Sequence, residues 1–208
     1  MQSEAGAGRS AYWDDQAPRY DQASAWAERR VLTPVRRRVC AHVTGRTLEV
    51  GVGTGANLPH YARQASSVTA VDASAAMLVM ARRRADALGA EVAFVHTPAE
   101  HLGLPDASFD SVVCTFTLCA VDDERAALRE MVRVLAPGGR LVLADHVESS
   151  SPALRAGQAV LDRLAAGRSG EHHRRRPWAL RDELGLVVEH QHAGRWRLVE
   201  EVVARKPG

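Results

Sequence analysis

Cysteine is scarce in this chain. Only Cys40, Cys114 and Cys119 occur, odd in number and in apolar surroundings, which excludes a disulfide-stapled secreted scaffold. No apolar run reaches the roughly 20 residues that cross a bilayer, and Met1-Gln2-Ser3-Glu4 does not open a signal peptide. A reducing, cytoplasmic setting is the expectation. Net charge is nearly absent as well. The formal balance is +2, so no global field draws the chain to nucleic acid or to an anionic membrane. Lysine is almost missing: Lys206 stands alone against a large excess of arginine, which lowers the weight of any isolated arginine as a functional clue. Aromatics are only 5% of the residues, and Tyr12, Trp13, Tyr20 and Trp26 crowd at the front. They either cover a site or anchor an N-terminal helix on the fold.

What is present is enough for a full core, with 46% hydrophobic residues in 208, the size of one domain with additions. Residues 1–9 are small and polar and are expected to be disordered. Thr33-Pro34 has the form of an N-cap followed by proline in the first helical position. Val35, Val39 and Val43 follow at helical spacing. Between them, Arg36, Arg37 and Arg38 are either a solvated face or an anion site.

The stretch Leu48-Glu49-Val50-Gly51-Val52-Gly53-Thr54-Gly55 organises the rest. Thr47–Val50 reads as a buried strand. Glycines at alternate positions then let the backbone turn sharply and let a ligand approach the main chain. A helix is expected from about Ala56, its unpaired N–H groups aimed at the turn. Ser67–Asp72 is a second strand ending in a carboxylate. An acid there, roughly 20 residues past the turn, is placed to accept from ribose hydroxyls, unless it merely caps the next helix. Together these features describe a nucleotide-type cofactor site at the top of a parallel sheet.

The downstream rhythm agrees. Ser74 caps a helix that Gly89 ends. Glu91–His96 is a third strand. Phe109–Phe116, almost continuously apolar, is a fourth, buried on both faces. Asp122, Asp123 and Glu124 open a helix with the buried stripe Leu128, Met131, Val132 and Leu135. Pro137-Gly138-Gly139 stops it, and Arg140–Val147 is the fifth strand. A helix from Ser151-Pro152 to about Ala166, a basic segment Gly167–Arg176 and a short helix within Pro177–Leu184 follow. Leu186–His192 and Arg195–Arg205 then form a hairpin joined by Ala193-Gly194. Strands alternating with helices imply βαβ units.

Glu49-x-Gly51-x-Gly53-x-Gly55, Asp72, Phe109-Asp110 and Pro137-Gly138-Gly139 together resemble the class I S-adenosylmethionine-dependent methyltransferases. A dinucleotide dehydrogenase prefers Gly-x-Gly-x-x-Gly. The resemblance implies an α/β fold: a Rossmann-like, seven-stranded, mostly parallel sheet with a C-terminal antiparallel hairpin and helices on both faces. Residues 45–208 would be the methyltransferase domain, residues 1–44 an N-terminal helical lid, and residues 150–184 a cover over the active site. The chain is similar to the group with a type-11 methyltransferase domain. Gly53-Thr54-Gly55-Ala56-Asn57, Val113–Cys119 and His146-Val147 resemble the thiol S-methyltransferase-like proteins and the bacterial phosphatidylethanolamine N-methyltransferases. Two departures stand out. Thr97-Pro98-Ala99-Glu100 replaces Gly-Asp-Ala-Glu, so Pro98 takes the place of the usual adenine-contacting Asp. Glu171–Arg176 stands where the thiol group has a Gly/Cys loop.

The implied cofactor is S-adenosylmethionine. The resemblance assigns Glu49 and the backbone of Gly51, Gly53 and Gly55 to its methionine end, and Asp72 to the ribose. It places Ala73, Pro98, Ala99 and Glu100 about the adenine, and Thr115 near the methionine and the methyl. Methyl transfer from a sulfonium mainly needs acceptor, methyl and sulfur held in line, and a base where the acceptor is a hydroxyl. His146, at the end of the fifth strand, is a candidate base or substrate contact, or a histidine satisfied by backbone. Tyr12, Tyr20, Cys119, His172, His173 and Arg175 are candidate substrate contacts. Arg174–Arg176 with Trp178 is an acidic-substrate clamp, a membrane-surface patch or a solvated loop. No metal-ligand spacing is found. The expected reaction is methyl transfer to the sulfur, oxygen or nitrogen of a small molecule, acidic or thiol-bearing. Methylation of a phospholipid at the membrane surface and a non-catalytic cofactor-binding module are the alternatives. A nucleic-acid methyltransferase is not expected, because Cys114-Thr115-Phe116-Thr117 lacks the Asn/Asp-Pro-Pro-Tyr/Phe usual in the amino-methylating members, and no separate basic recognition domain exists in this sequence.

Overall fold

The structure, a computed structural model, describes residues 4–61, 65–165, 175, 178, 181–194 and 196–208. Seven strands form one sheet: β1 (Gly45–Val50), β2 (Ala65–Asp72), β3 (Val92–His96), β4 (Phe109–Thr115), β5 (Leu135–His146), β6 (Val187–Ala193) and β7 (Val199–Arg205). Their order is β3-β2-β1-β4-β5-β7-β6. The first five run parallel, and β7 lies antiparallel to both β5 and β6. The α/β, mostly parallel sheet with its C-terminal hairpin is therefore as expected. The strand order reverses direction between β1 and β4, where parallel sheets open a crevice at their C-terminal ends.

Alternation along the strands sends side chains to opposite faces. On one face Leu48, Val112, Leu141 and Val202 pack with Leu128 and Met131 of α4 (Glu124–Val134). On the other, Val113, Val142 and Val203 pack with Val35 and Val39 of α2 (Thr33–Cys40). Ala70 meets Leu78 and Ala81 of α3 (Ala75–Leu88). Ser74 caps α3 by accepting from Met77 N, and Gly89, at φ +63°, ends it. Asp123 caps α4 by accepting from Arg125 N and Ala126 N.

The N-terminal region departs from expectation. α1 (Glu4–Ala27) starts inside the stretch read as disordered, an extension that costs little once the later turns are docked. It runs through a π turn, Glu28–Leu32, directly into α2. Thr33 is not an N-cap: its N–H reaches back to Glu28 O. The five-residue turn precedes Pro34, which has no N–H to donate. The α-helix expected from Ala56 is also not there. Turns through Asn57 lead into a 3₁₀ turn, Leu58–His60, which contains Pro59. No α-helix therefore follows the glycine turn directly. β5 begins at Leu135 and takes in the Pro-Gly-Gly, and the β6–β7 connection runs through Leu198 rather than turning at Ala193-Gly194. α5 (Pro152–Ala165) and α6 (Arg181–Leu184) complete the helices among the described residues. Trp178 is buried in the core with Leu143 and Val202, so it cannot belong to a surface patch with the arginines before it.

Candidate functional site

A cavity of about 620 Å³ opens at the C-terminal ends of β1, β2 and β4, within the size range of small-ligand sites. Its floor is the glycine turn. Gly51 N and Val52 N both donate to Val71 O, which folds the chain back over β2. Gly51, Gly53 and Gly55 hold φ of +71°, +54° and +82°, left-handed values that a side chain resists. A Cβ on Gly53 would meet no protein atom within 4 Å. The strand-end acid completes this side. Asp72 accepts from Gly53 N (2.8 Å) and from Ser74 N (2.9 Å), one bond to each oxygen. Burial pushes its carboxyl above the usual range, opposed by these backbone donors. Each oxygen keeps lone-pair capacity for a further donor from the cavity.

The opposite side is a buried polar network. Glu49 accepts from Asn57 Nδ2 (2.9 Å) and Tyr61 Oη (2.6 Å). Asn57 also donates to Thr115 Oγ1 (2.9 Å) and accepts from Arg36 Nη1 (3.1 Å). Arg36 donates to Thr115 Oγ1 (2.7 Å) and pairs with Glu28 (3.0 Å), with its guanidinium over the Phe116 ring. Thr115 thus accepts two hydrogen bonds, and its own proton is left to donate toward the cavity it lines. Burial raises Glu49 from 4.5 to about 7. Its proton is therefore held more tightly in the fold than in the unfolded chain. Stability from this group is complete below pH 4.5 and is lost as pH rises through about 7. Glu49→Gln, with Tyr61 turned to accept, should remove a decline on the order of 3 kcal/mol across that window. Urea melts against pH measure it, and an unchanged profile would contradict it.

α1 crosses the mouth. Ser10, Trp13 and Tyr20 line the cavity from it. Two carboxylates tether this helix: Asp14 accepts from Ser74 Oγ (2.6 Å) and Ala76 N (3.0 Å), and Asp21 accepts from Thr54 Oγ1 (2.7 Å) and Arg84 (2.6 Å).

The residues singled out from sequence separate into groups. Gly51, Gly53, Asp72, Ala73, Pro98, Ala99, Glu100, Thr115 and Tyr20 line the cavity. Glu49 lies one shell beneath, reached through Asn57. Glu100 accepts from Asp122 N (2.7 Å) and Asp123 N (3.2 Å) ahead of α4. Tyr12 packs edge-on against Trp13 and is not a lining residue. Neither are Gly55, Cys119, His146 and Arg175. Gly55 sits against Leu58 and Ala81, where a Cβ would crowd them. His146 packs on Phe116, with ring centroids 5.2 Å apart, behind the lining. Arg175 donates to Leu118 O (2.7 Å) and Val121 O (2.8 Å), so its guanidinium braces the loop after β4 instead of clamping an acid in the cavity. Asp145 braces the same loop through Thr117 N and Leu118 N. Cys119, Asp145 and His146 place a thiol, a carboxylate and an imidazole within 4.8 Å of one another there. His172 and His173, with Arg174 and Arg176, lie outside the described residues.

Asn57 and Phe116 were not singled out as site residues, Arg36 only as one of three arginines in a possible anion site, and Trp13 only within the aromatic group that could cover a site. Arg36 had a signal: it stands four residues after Leu32 and three before Val39, on the apolar stripe of α2, and it is buried while Arg37 and Arg38 are exposed.

A parallel sheet that reverses at β1 and β4, a glycine turn and a strand-end carboxylate under one cavity define an enzyme that takes a nucleoside cofactor. Residues 48–143 match the family model described as a methyltransferase domain. Over 140 residues the chain is 38% identical to phosphatidylethanolamine N-methyltransferase of Cereibacter sphaeroides, covering 65% of this chain and 68% of that one. It is 37% identical over 140 residues to demethylmenaquinone methyltransferase of Renibacterium salmoninarum, covering 65% of this chain but only 57% of that protein's length. A solved SAM-dependent methyltransferase of Thermotoga maritima superposes with a TM-score of 0.72 at 22% identity, covering 94% of this chain and 99% of that one. The chain belongs to the S-adenosylmethionine-dependent methyltransferases, and its cofactor is S-adenosylmethionine.

The residues present fit that group. The open space at Gly53 and the spare acceptor capacity of Asp72 are what a ribose and its attached chain require. No helix among the described residues is long and apolar enough to cross a membrane.

Proposed function

We propose that the chain methylates a lipid-soluble small molecule, with α1 acting as the lid over the site. The observation that carries this is the cavity's outer wall. Beyond the glycine turn and Asp72 its lining includes Trp13, Tyr20 and Phe116, aromatic groups that suit an apolar acceptor, beside polar residues such as Arg36, His101, Thr117 and Asp122. The two relatives named above support it: one takes its name from an amino phospholipid and the other from a quinone precursor. Arg175 of the expected acid clamp does not support the acidic-substrate reading, since its guanidinium is occupied by Leu118 O and Val121 O.

When bound, S-adenosylmethionine supplies a methyl group already activated on a cationic sulfur. The chain's own task is positional. Asp72 accepts from the ribose hydroxyls. Gly51 and Gly53 bring the main chain close to the methionine end. Pro98 and Ala99 border the adenine, where Glu100 serves the start of α4. Thr115, fixed by Arg36 and Asn57, donates one hydrogen bond at the methionine end of the cavity. The aromatic wall excludes water and aligns the acceptor.

The test is transfer of an isotopic methyl label, read by mass spectrometry. Acceptors are presented as phosphatidylethanolamine vesicles, a prenylated quinol in detergent, and water-soluble thiols, phenols and amines. Label in a lipid-soluble product is expected. Label confined to a water-soluble acceptor would overturn the proposal.

A further inference from the structure

The helical segment that carries Arg36 into the site has an outer face with a different character. Trp26 is 68% exposed and Val31 is 42% exposed. Arg29, Arg30, Pro34 and Arg37 are exposed around them, while Leu32, Val35, Arg36 and Val39 turn inward. The charge on this face has one sign. Glu28, the sole acid between Trp26 and Cys40, is held by Arg36 and Thr33. Arg38 pairs with Glu201. Among the described residues, no ion pair or hydrogen bond uses the side chains of Arg29, Arg30 or Arg37. A large aromatic and an aliphatic group standing in water beside three unpaired guanidinium groups form the composition that settles at a bilayer interface. There, tryptophan sits at headgroup level and arginines meet anionic lipid.

The face also adjoins the site. Glu28 is bonded to Arg36, which reaches Thr115 in the cavity. Trp26 follows Tyr20, a lining residue, on the same helix.

We infer that the outer face of Trp26–Arg37 docks the enzyme on a bilayer bearing anionic headgroups, with the cavity mouth beside the lipid. Charge complementarity selects the anionic surface, and Trp26 with Val31 selects lipid over a polyphosphate, which offers no apolar layer to receive them. The inference deepens the lipid-soluble-acceptor reading, but its test needs neither cofactor nor acceptor.

The test is co-sedimentation of the full chain with vesicles of phosphatidylcholine, alone or mixed with phosphatidylglycerol. Binding is expected only to the mixed vesicles, with a blue shift of tryptophan emission that Trp26→Ala removes. It should weaken with salt as the screening length falls from about 10 Å at 0.1 M to about 3 Å at 1 M. Replacing Arg29, Arg30 and Arg37 together by glutamine should lower partitioning on the order of a hundredfold, roughly fivefold for each charge. Arg83→Gln, at an exposed arginine on α3, should change nothing. Equal binding to neutral vesicles, no binding, or an equal loss with Arg83→Gln would overturn the inference. So would concentration-dependent dimerisation that Trp26→Ala abolishes, since the face would then belong to a second copy. Vesicle binding without methyl transfer to lipid-borne acceptors would fail the functional proposal and leave docking standing.

Discussion

Asp72→Ala is expected to weaken S-adenosylmethionine binding by roughly two to four orders of magnitude. Two hydrogen bonds from ribose hydroxyls to an ionised carboxylate are each worth about 1.5–3 kcal/mol when their partner is removed, and about 1.4 kcal/mol is a factor of ten in affinity. The fold should survive. Asp72 stands at the tip of β2, its partners are backbone N–H groups of neighbouring loop residues such as Gly53 and Ser74, and burial already disfavours its charge. Calorimetric titration and a thermal melt of the same variant separate the two effects. Wild-type affinity in Asp72→Ala would remove the ribose from this acid.

Two of the three turn glycines, Gly51 and Gly53, should fail in opposite ways. At Gly51, with φ +71°, a Cβ would lie 2.2 Å from Thr117 Cγ2 and 2.3 Å from Thr117 Oγ1. Thr117 itself is held by hydrogen bonds to Gly51 O and Thr115 O. Gly51→Ala therefore adds overpacking to left-handed strain, together about 2–4 kcal/mol. At 2–4 °C for each kcal/mol, Tm should fall by roughly 10 °C. At Gly53, with φ +54°, the added methyl meets only open space. Gly53→Ala should cost about 1–2 kcal/mol of strain yet lose most cofactor affinity, because its methyl enters the cavity. Equal melting losses with unchanged binding in both variants would contradict the placement of the ligand against this turn.

The readable parts of the chain were those where backbone demands leave few residue choices. Glycines at alternate positions after a buried strand, and an acid at the next strand's end, mark the turn and Asp72. Strictly apolar runs such as Val112–Cys114 mark strands covered on both faces. Side chains reaching the site from distant elements left weaker marks. Arg36 sits in a run of three arginines, and its burial depends on Glu28, Asn57 and Thr115, which come together only in the fold. Arg175 read as a candidate substrate contact, but the carbonyls it serves belong to a loop 54–57 residues earlier. Trp178 beside a basic run suggested a surface, yet the core took it. The helix expected at Ala56 was lost to Pro59 and to the positive φ of Gly55.

One titration goes straight to the site: S-adenosylmethionine into the unmodified chain, followed by calorimetry and by the emission of Trp13, which lines the cavity. Saturable one-to-one binding that Asp72→Ala and Gly53→Ala each weaken strongly is the expected result. Absence of saturable binding, or binding indifferent to both substitutions, would contradict the cofactor site described here.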